Sequence, residues 1–293
     1  MIRLERLTKA FRQRRVLGEV SLDIARGDRI ALVGSNGAGK TTLIRCLLGE
    51  YTFDGTVEVD GLSPRMHRQD VLAKIGFVPQ LPPPLKMPVG ELINFAASMC
   101  NSAPERMEAV SARLGLEVEG IRRQPFVKLS GGQKQKLLIG IALGRDCDIL
   151  VMDEPAANLD PEARQVFFGL LGERQKDVTM LLSSHRLDEV AALVNRVIEL
   201  DRGAVVLDDH VADTVDMRSI LSCTVRLTRR EEAFEKALGE WGFSATAEGG
   251  GLVWTGQVAG PDRLRFLGVL SRYAGLLAAI NLEDNSKKAE AAQ

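Results

Sequence analysis

The sequence carries no strong charge of either sign: 38 Lys and Arg stand against 39 Asp and Glu, a formal net charge of −1. Such a balance provides no global basic field for nucleic acid, and no nucleic-acid partner is expected. Long apolar runs are missing as well. The longest, around residues 136–144 and 276–280, fall far short of the roughly 20 residues that a spanning helix needs. Any contact with a membrane is therefore expected to run through a partner. The opening Met1-Ile2-Arg3-Leu4-Glu5 lacks the apolar stretch of a signal peptide. Cysteine is scarce and scattered: Cys46, Cys100, Cys147 and Cys223 show no C-x-x-C spacing, which excludes a disulfide framework or a zinc site read from spacing and suits a reducing cytosol. What is there is ordinary for a globular chain, 45% hydrophobic and 26% charged over 293 residues, enough for one large or two modest domains.

One stretch organises the rest. Gly34-Ser35-Asn36-Gly37-Ala38-Gly39-Lys40-Thr41-Thr42 fits the pattern G-x-x-x-x-G-K-[ST] at every fixed position. The apolar Ile30-Ala31-Leu32-Val33 leads in like a buried strand, and Leu43-Ile44-Arg45-Cys46-Leu47-Leu48 leads out at helical spacing. Glycines at 34, 37 and 39 let backbone N–H groups turn inward, and the following helix adds the positive end of its dipole. Lys40 would supply a point charge to β/γ-phosphates, and the Thr41 hydroxyl a ligand to Mg²⁺. An ordinary glycine-rich turn before a helix would not need Gly-Lys-Thr in this register. A nucleotide phosphate site is expected here.

Along the chain, residues 2–7 and 20–24 alternate as strands do, with Phe11 and the basic cluster Arg12-Gln13-Arg14-Arg15 between them; the arginines read as a solvated hairpin loop. Strands are expected near 56–59 and 75–79, and a helical insertion over 89–116 after the break Leu81-Pro82-Pro83-Pro84. Leu129-Ser130-Gly131-Gly132-Gln133 opens a helix reaching about 144, residues 148–153 form a buried strand ending in Asp153 and Glu154, and Asp160-Pro161 starts another helix. A strand over 178–183 closes with Ser184-His185; a helix over 187–194 and two short strands about Asp201-Arg202-Gly203 end a first domain near 208. Residues 217–285 then give the order β-α-β-β-α-β of a small ferredoxin-like domain, with helices over 230–241 and 261–273, and 286–293 read as a flexible tail. The expected class is α/β, a phosphate-loop core with a helical subdomain over about 88–146, plus this α+β domain.

The other blocks narrow the chemistry. Asp153 ends an apolar strand beside the phosphate loop and suits Mg²⁺, held directly or through water. Glu154, one residue on, faces elsewhere and could polarise an attacking water. With Gln80 after a strand, the Leu-Ser-Gly-Gly-Gln block and His185 after another strand, the first 208 residues closely resemble the ATP-binding-cassette (ABC) ATPases. The resemblance implies ATP and Mg²⁺ as cofactors, with Lys40 and Thr41 on phosphate and metal. Gln80 is implied at Mg²⁺ and water, Glu154 as the catalytic carboxylate and His185 on the γ-phosphate. It also implies that Phe11 lies against adenine, that Asp160 belongs to the loop crossing a dimer interface, and that Ser130 with Gly131, Gly132 and Gln133 closes over ATP held by an opposite subunit.

Two jobs then compete. The resemblance implies a nucleotide-binding subunit on the cytoplasmic face of the membrane, pairing with a second cassette, as a homodimer or otherwise. Integral membrane subunits would dock near Gln80 and the helical subdomain. The small C-terminal domain, with Leu282-Glu283-Asp284 resembling a motif of exporter-type subunits, favours export, although Gln133 departs from that group's usual signature ending. The alternative is a soluble ATPase of translation or DNA repair, but the chain carries one cassette, without zinc motifs or long coiled coils.

Overall fold

The computed structural model describes residues 1–174, 178–184, 190–210, 220–246, 251–259, 266, 269–270 and 273–284. Its contacts divide the chain into two units, Met1–His185 with Leu193–His210, and Arg186–Ala192 with Val211–Gln293.

The first unit begins with a hairpin. Strands β1 (Ile2–Phe11) and β2 (Arg14–Ile24) pair antiparallel from Ile2 opposite Ile24 to Phe11 opposite Arg14, and Arg12 turns the corner at φ 54°. These strands run further into the arginine cluster than the alternation indicated. β4 (Asp54–Val59) joins the other edge of β1, giving a three-stranded sheet β2-β1-β4. A second sheet has the order β5-β6-β7-β3-β8-β9, formed by β3 (Arg29–Val33), β5 (Ile75–Val78), β6 (Ile149–Asp153), β7 (Thr179–Ser183), β8 (Arg196–Asp201) and β9 (Ala204–His210). All its neighbours pair parallel except β8 with β9. Strands of a parallel sheet covered on both faces have no solvent side, which is why β6 and β7 are buried at every position.

Helix α1 (Lys40–Leu47) lies in the core shared by these sheets, where Leu43, Ile44 and Leu47 pack with side chains of β1, β2, β3 and β4. Burying each such side chain contributes about 1.5–3 kcal/mol. One buried cation also ties the elements together. Arg196 on β8 donates to Asp28 Oδ2 (2.8 Å), to both carboxylate oxygens of Asp208 on β9 (2.7 Å each) and to the carbonyl of Asp23 (2.7 Å). Each of these four bonds goes to an oxygen acceptor, as a buried guanidinium requires.

The helical insertion expected over 89–116 consists of two helices. α3 (Val89–Met99) stops where Asn101 adopts φ 50°, and Pro104 starts α4 (Pro104–Arg113), its missing N–H costing nothing in a first turn. With α5 (Gly131–Leu143) they share a core of Val89, Ile93, Met107, Phe126 and Leu137. A short helix α2 (Arg68–Ala73) precedes β5, and α6 (Pro161–Glu173) follows β6.

In the second unit, β10 (Ile220–Leu227), β11 (Ser244–Ala245), β12 (Val253–Ala259) and β13 (Leu277–Asp284) form an antiparallel sheet in the order β11-β12-β10-β13. The first strand therefore sits between the third and the last. α7 (Glu232–Glu240) contributes Phe234 and Leu238 to a core with Val225, Phe243 and Phe266, the last two rings stacked at 4.9 Å. Most of the helix expected over 261–273, part of that over 187–194 and the whole of 286–293 fall outside the described residues. Among the described residues no helix is long and apolar enough to cross a membrane.

Candidate functional site

The loop between β3 and α1 is shaped by what its glycines exclude. Gly34 sits at φ 147°, and a Cβ there would come within 2.3 Å of the Leu200 carbonyl oxygen. Gly39, at φ 113°, occupies the N-cap position of α1, where a Cβ would lie 2.8 Å from Leu17 Cδ2. Any side chain would push the loop off the strands behind it. Gly39 offers no capping side chain either, so α1 begins without one. Its first-turn N–H groups are thereby left for an anion, at the positive end of the dipole.

A third glycine holds the loop from behind. Gly203, in the β8–β9 turn, donates to the carbonyl of Ala38 (2.9 Å) and accepts from the Gly18 N–H (2.8 Å). A Cβ on it would meet the Val16 carbonyl oxygen at 2.1 Å.

Lys40 is 6% exposed, and its ammonium donates to the carbonyls of Gly34 (2.7 Å) and Ser35 (3.3 Å). Around it opens a cavity of about 580 Å³ lined by Val16, Ser35, Asn36, Gly37, Gly39, Lys40, Thr41, Thr42, Gln80 and Glu154. That is a volume suited to a small-molecule ligand. Gln80 follows β5, whose path is cut short by Pro79, and its amide Nε2 donates to Glu154 Oε2 at 3.3 Å. Behind them Asp153, the buried last residue of β6, accepts from the Ser183 hydroxyl at 2.6 Å. Glu154 leaves the strand in the left-handed region, φ 46°, and its N–H donates to the same hydroxyl at 2.9 Å.

This arrangement has known counterparts. The ABC transporter family model matches residues 17–157. A zinc import ATP-binding protein of Marinobacter nauticus is 35% identical over 211 residues, which cover 69% of this chain and 75% of that one. The chain belongs to the ABC transporter ATP-binding family. A ribose import ATP-binding protein of Burkholderia ambifaria is 34% identical over 227 residues, 73% of this chain but 44% of the relative, so the chain spans less than half the length of that protein. A dimeric ATP-binding cassette solved in a post-hydrolysis state with ADP and phosphate superposes with a TM-score of 0.65 at 22% identity, over 72% of this chain and 99% of the other. That likeness concerns the fold.

Other residues expected in the ABC site stand elsewhere in the chain. Ser130 caps α5: its Oγ accepts from the Gln133 N–H (3.2 Å), while Gln133 Oε1 accepts from the Ser130 N–H (3.0 Å). This reciprocal capping box spends the serine and glutamine side chains on the helix itself. Gly131 and Gly132 form the first turn above it. Asp160 caps α6 through the Ala163 N–H (2.8 Å) and pairs with Lys136 Nζ (2.8 Å). The Lys136 hydrogen bond, with help from that backbone N–H, holds the Asp160 carboxyl below the usual aspartate range. None of Ser130, Gly131, Gly132, Gln133 and Asp160 is among the described residues that line the cavity. Phe11 is not there either. It is exposed, edge-on to Tyr51 with ring centres 5.1 Å apart, and Lys9 Nζ lies 4.7 Å over its ring. His185 lies outside the described residues. Cys46, on the buried side of α1, has its thiol pushed up to about 11 by burial, which leaves it a packing residue rather than a nucleophile.

Among the described residues no cluster of three or more His, Cys, Asp or Glu could by itself hold a metal ion. The donors near the cavity are hard oxygens: the Thr41 hydroxyl, the Gln80 amide and, set back, the Asp153 carboxylate. Such a set fits Mg²⁺, which keeps several waters and takes phosphate oxygens instead of a full protein cage. Val16, Ser183 and Gly203 were not marked by motif reading; each acts through a strand pairing or a close approach that no short spacing announces.

Proposed function

We propose that this chain binds and hydrolyses ATP as the nucleotide-binding subunit of an ABC transporter. The observation that carries the reading is Gln80 and Glu154, hydrogen-bonded at 3.3 Å, in the wall of the same cavity as Lys40 and Thr41. Phosphate groups in that cavity would take the α1 N–H groups and the Lys40 ammonium. Mg²⁺ held by Thr41, Gln80 and, directly or through water, Asp153 would neutralise charge on the phosphate oxygens. Glu154 would take a proton from the attacking water, with Gln80 orienting both. His185 is assigned to the γ-phosphate by its motif, two residues beyond Ser183. Phe11 is retained as a candidate contact for the base, although it does not line the cavity.

The capped start of α5 is not part of this chain's own cavity, and we assign it to ATP held by a second cassette. Two sites then form between two copies in an isologous pair, each built from the loop of one and Ser130, Gly131, Gly132 and Gln133 of the other. Asp160, adjacent to the α5 region through Lys136, is assigned to the same interface. Docking of separate membrane subunits on the cytoplasmic face is placed near Gln80 and α3, where Leu81 (72% exposed), Phe95 (54%) and Met99 (58%) present apolar side chains to solvent. The named relatives are transport subunits, which supports this reading over a soluble ATPase of translation or repair. Both are named for import. The export direction suggested by the C-terminal unit therefore forms no part of the proposal.

The test is twofold. Purified protein is assayed for Mg²⁺-dependent phosphate release from ATP, and tagged protein is captured from gently solubilised, nuclease-treated membranes. A polytopic membrane protein recovered in near-stoichiometric amount supports the transporter role. Ribosomal or repair proteins without one overturn it, and absence of ATP hydrolysis overturns the catalytic assignment.

A further inference from the structure

β6 and β7 run parallel with Asp153 directly opposite Ser183, the last residue of β7. Everything else on β7 is a threonine or an apolar residue, and all five positions are buried. A β-branched apolar residue would serve the strand better than serine at its end. The hydroxyl is instead used twice. It donates to Asp153 Oδ1 at 2.6 Å and accepts from the Glu154 N–H at 2.9 Å, and Ser183 has no exposed surface.

Both bonds answer a physical need. Asp153 is a buried side chain, 2% exposed, and its oxygens need hydrogen-bond donors there. Glu154 has left the ladder with φ 46°, a conformation that a side chain with a Cβ adopts at a cost and keeps only when its surroundings hold it. Its N–H takes the serine oxygen as acceptor, which ties the turned backbone to β7. One hydroxyl thus fixes the carboxylate of one residue and the backbone of the next, and the same strand leads on to His185.

We infer that Ser183 is a positioning residue for ATP hydrolysis, acting through Asp153 and Glu154 without touching nucleotide. This rests on the function proposed above. Loss of the hydroxyl removes the 2.6 Å bond that orients the Asp153 side chain and a bond that holds the Glu154 backbone in its left-handed conformation. The phosphate loop and Lys40 keep all their contacts, so ATP binding persists while hydrolysis and the Mg²⁺ requirement change.

The experiment compares Ser183→Ala, Ser183→Thr and Ser183→Cys in the full chain. The first readout is independent of turnover: hydrogen exchange of the Glu154 amide, followed by NMR in nucleotide-free protein. Exchange should quicken about tenfold or more in Ser183→Ala, stay near wild type in Ser183→Thr and fall between them in Ser183→Cys, as the acceptor weakens. The second is kinetic. In Ser183→Ala, kcat should drop about tenfold and the Mg²⁺ concentration for half-maximal rate should rise several-fold, with KM for ATP within about twofold of wild type and recovery in Ser183→Thr. A merely structural serine would change the fraction of folded protein and leave the kcat of the folded fraction, the Mg²⁺ requirement and Glu154 exchange in step with wild type. That result overturns the inference. Should the alanine chain not fold, the cysteine chain carries the same comparison. Wild-type protein that hydrolyses no ATP defeats the proposed function, while exchange still decides whether Ser183 holds Glu154.

Discussion

Lys136 on α5 and Asp160 at the start of α6 form an ion pair of 2.8 Å, which fastens the helix opened by Ser130 to the segment that follows Glu154. Asp160 uses its other oxygen to cap α6. The two uses separate by mutation. Asp160→Asn keeps an N-cap acceptor and loses the charge, so it should cost little, because the pair is partly solvent-screened. Asp160→Ala removes both and should destabilise the first unit measurably more than Asp160→Asn. Urea unfolding of both variants checks the order; equal midpoints would mean that the cap contributes nothing.

Lys40→Ala should weaken ATP binding by about a hundredfold, the scale of losing a buried charge on phosphate. Fluorescent-nucleotide titration measures it. Unaltered affinity would place the phosphate site elsewhere.

Glu154→Gln keeps the size and hydrogen-bonding reach of the side chain but cannot take a proton. It should bind ATP, hydrolyse it about tenfold or more slowly and accumulate as a dimer with ATP. Phosphate release and light scattering report the two effects, and wild-type turnover in this variant would remove Glu154 from the proposed mechanism.

Arg196→Met leaves Asp28 and Asp208 without their buried cation and should cost about 3–5 kcal/mol. The pH dependence has a defined sign. Hydrogen bonding to Arg196 holds the Asp208 carboxyl below the usual aspartate range. Its contribution is therefore complete above the ordinary carboxylate range and disappears as pH falls through the lower folded value. Wild-type stability should decline across that acid window, and Arg196→Met should flatten the decline. Thermal melts at pH 3 to 7 follow both.

The parts of this molecule that were legible in the sequence are those whose signal is local. The phosphate loop, the helix opened by Leu129-Ser130-Gly131-Gly132-Gln133 and the strand ending in Asp153 are each announced by a few consecutive residues. Non-local pairings were not legible: nothing near residues 2–11 says that β1 lies between β2 and β4. α2 was missed because it buries only Val71, and a single apolar contact makes no period. The helical character of 89–116 was legible but its break was not, because the apolar spacing continues through Asn101 and Pro104. Ser183 was invisible for a different reason: a lone hydroxyl in an apolar strand acquires meaning only from what the neighbouring strand brings opposite it.

Gly203 shows how far intolerance to change spreads from a nucleotide site. It lies 164 positions after Gly39 in the chain, yet both glycines are wedged against the same residues of β2, Val16 and Leu17. A scan of every single substitution, scored by retained ATP binding, should therefore draw a deep trough at 203 beside those at 34 and 39. A map of ligand contacts would leave that position blank. For this chain, the heritable record of the phosphate loop extends into a hairpin that never meets a phosphate.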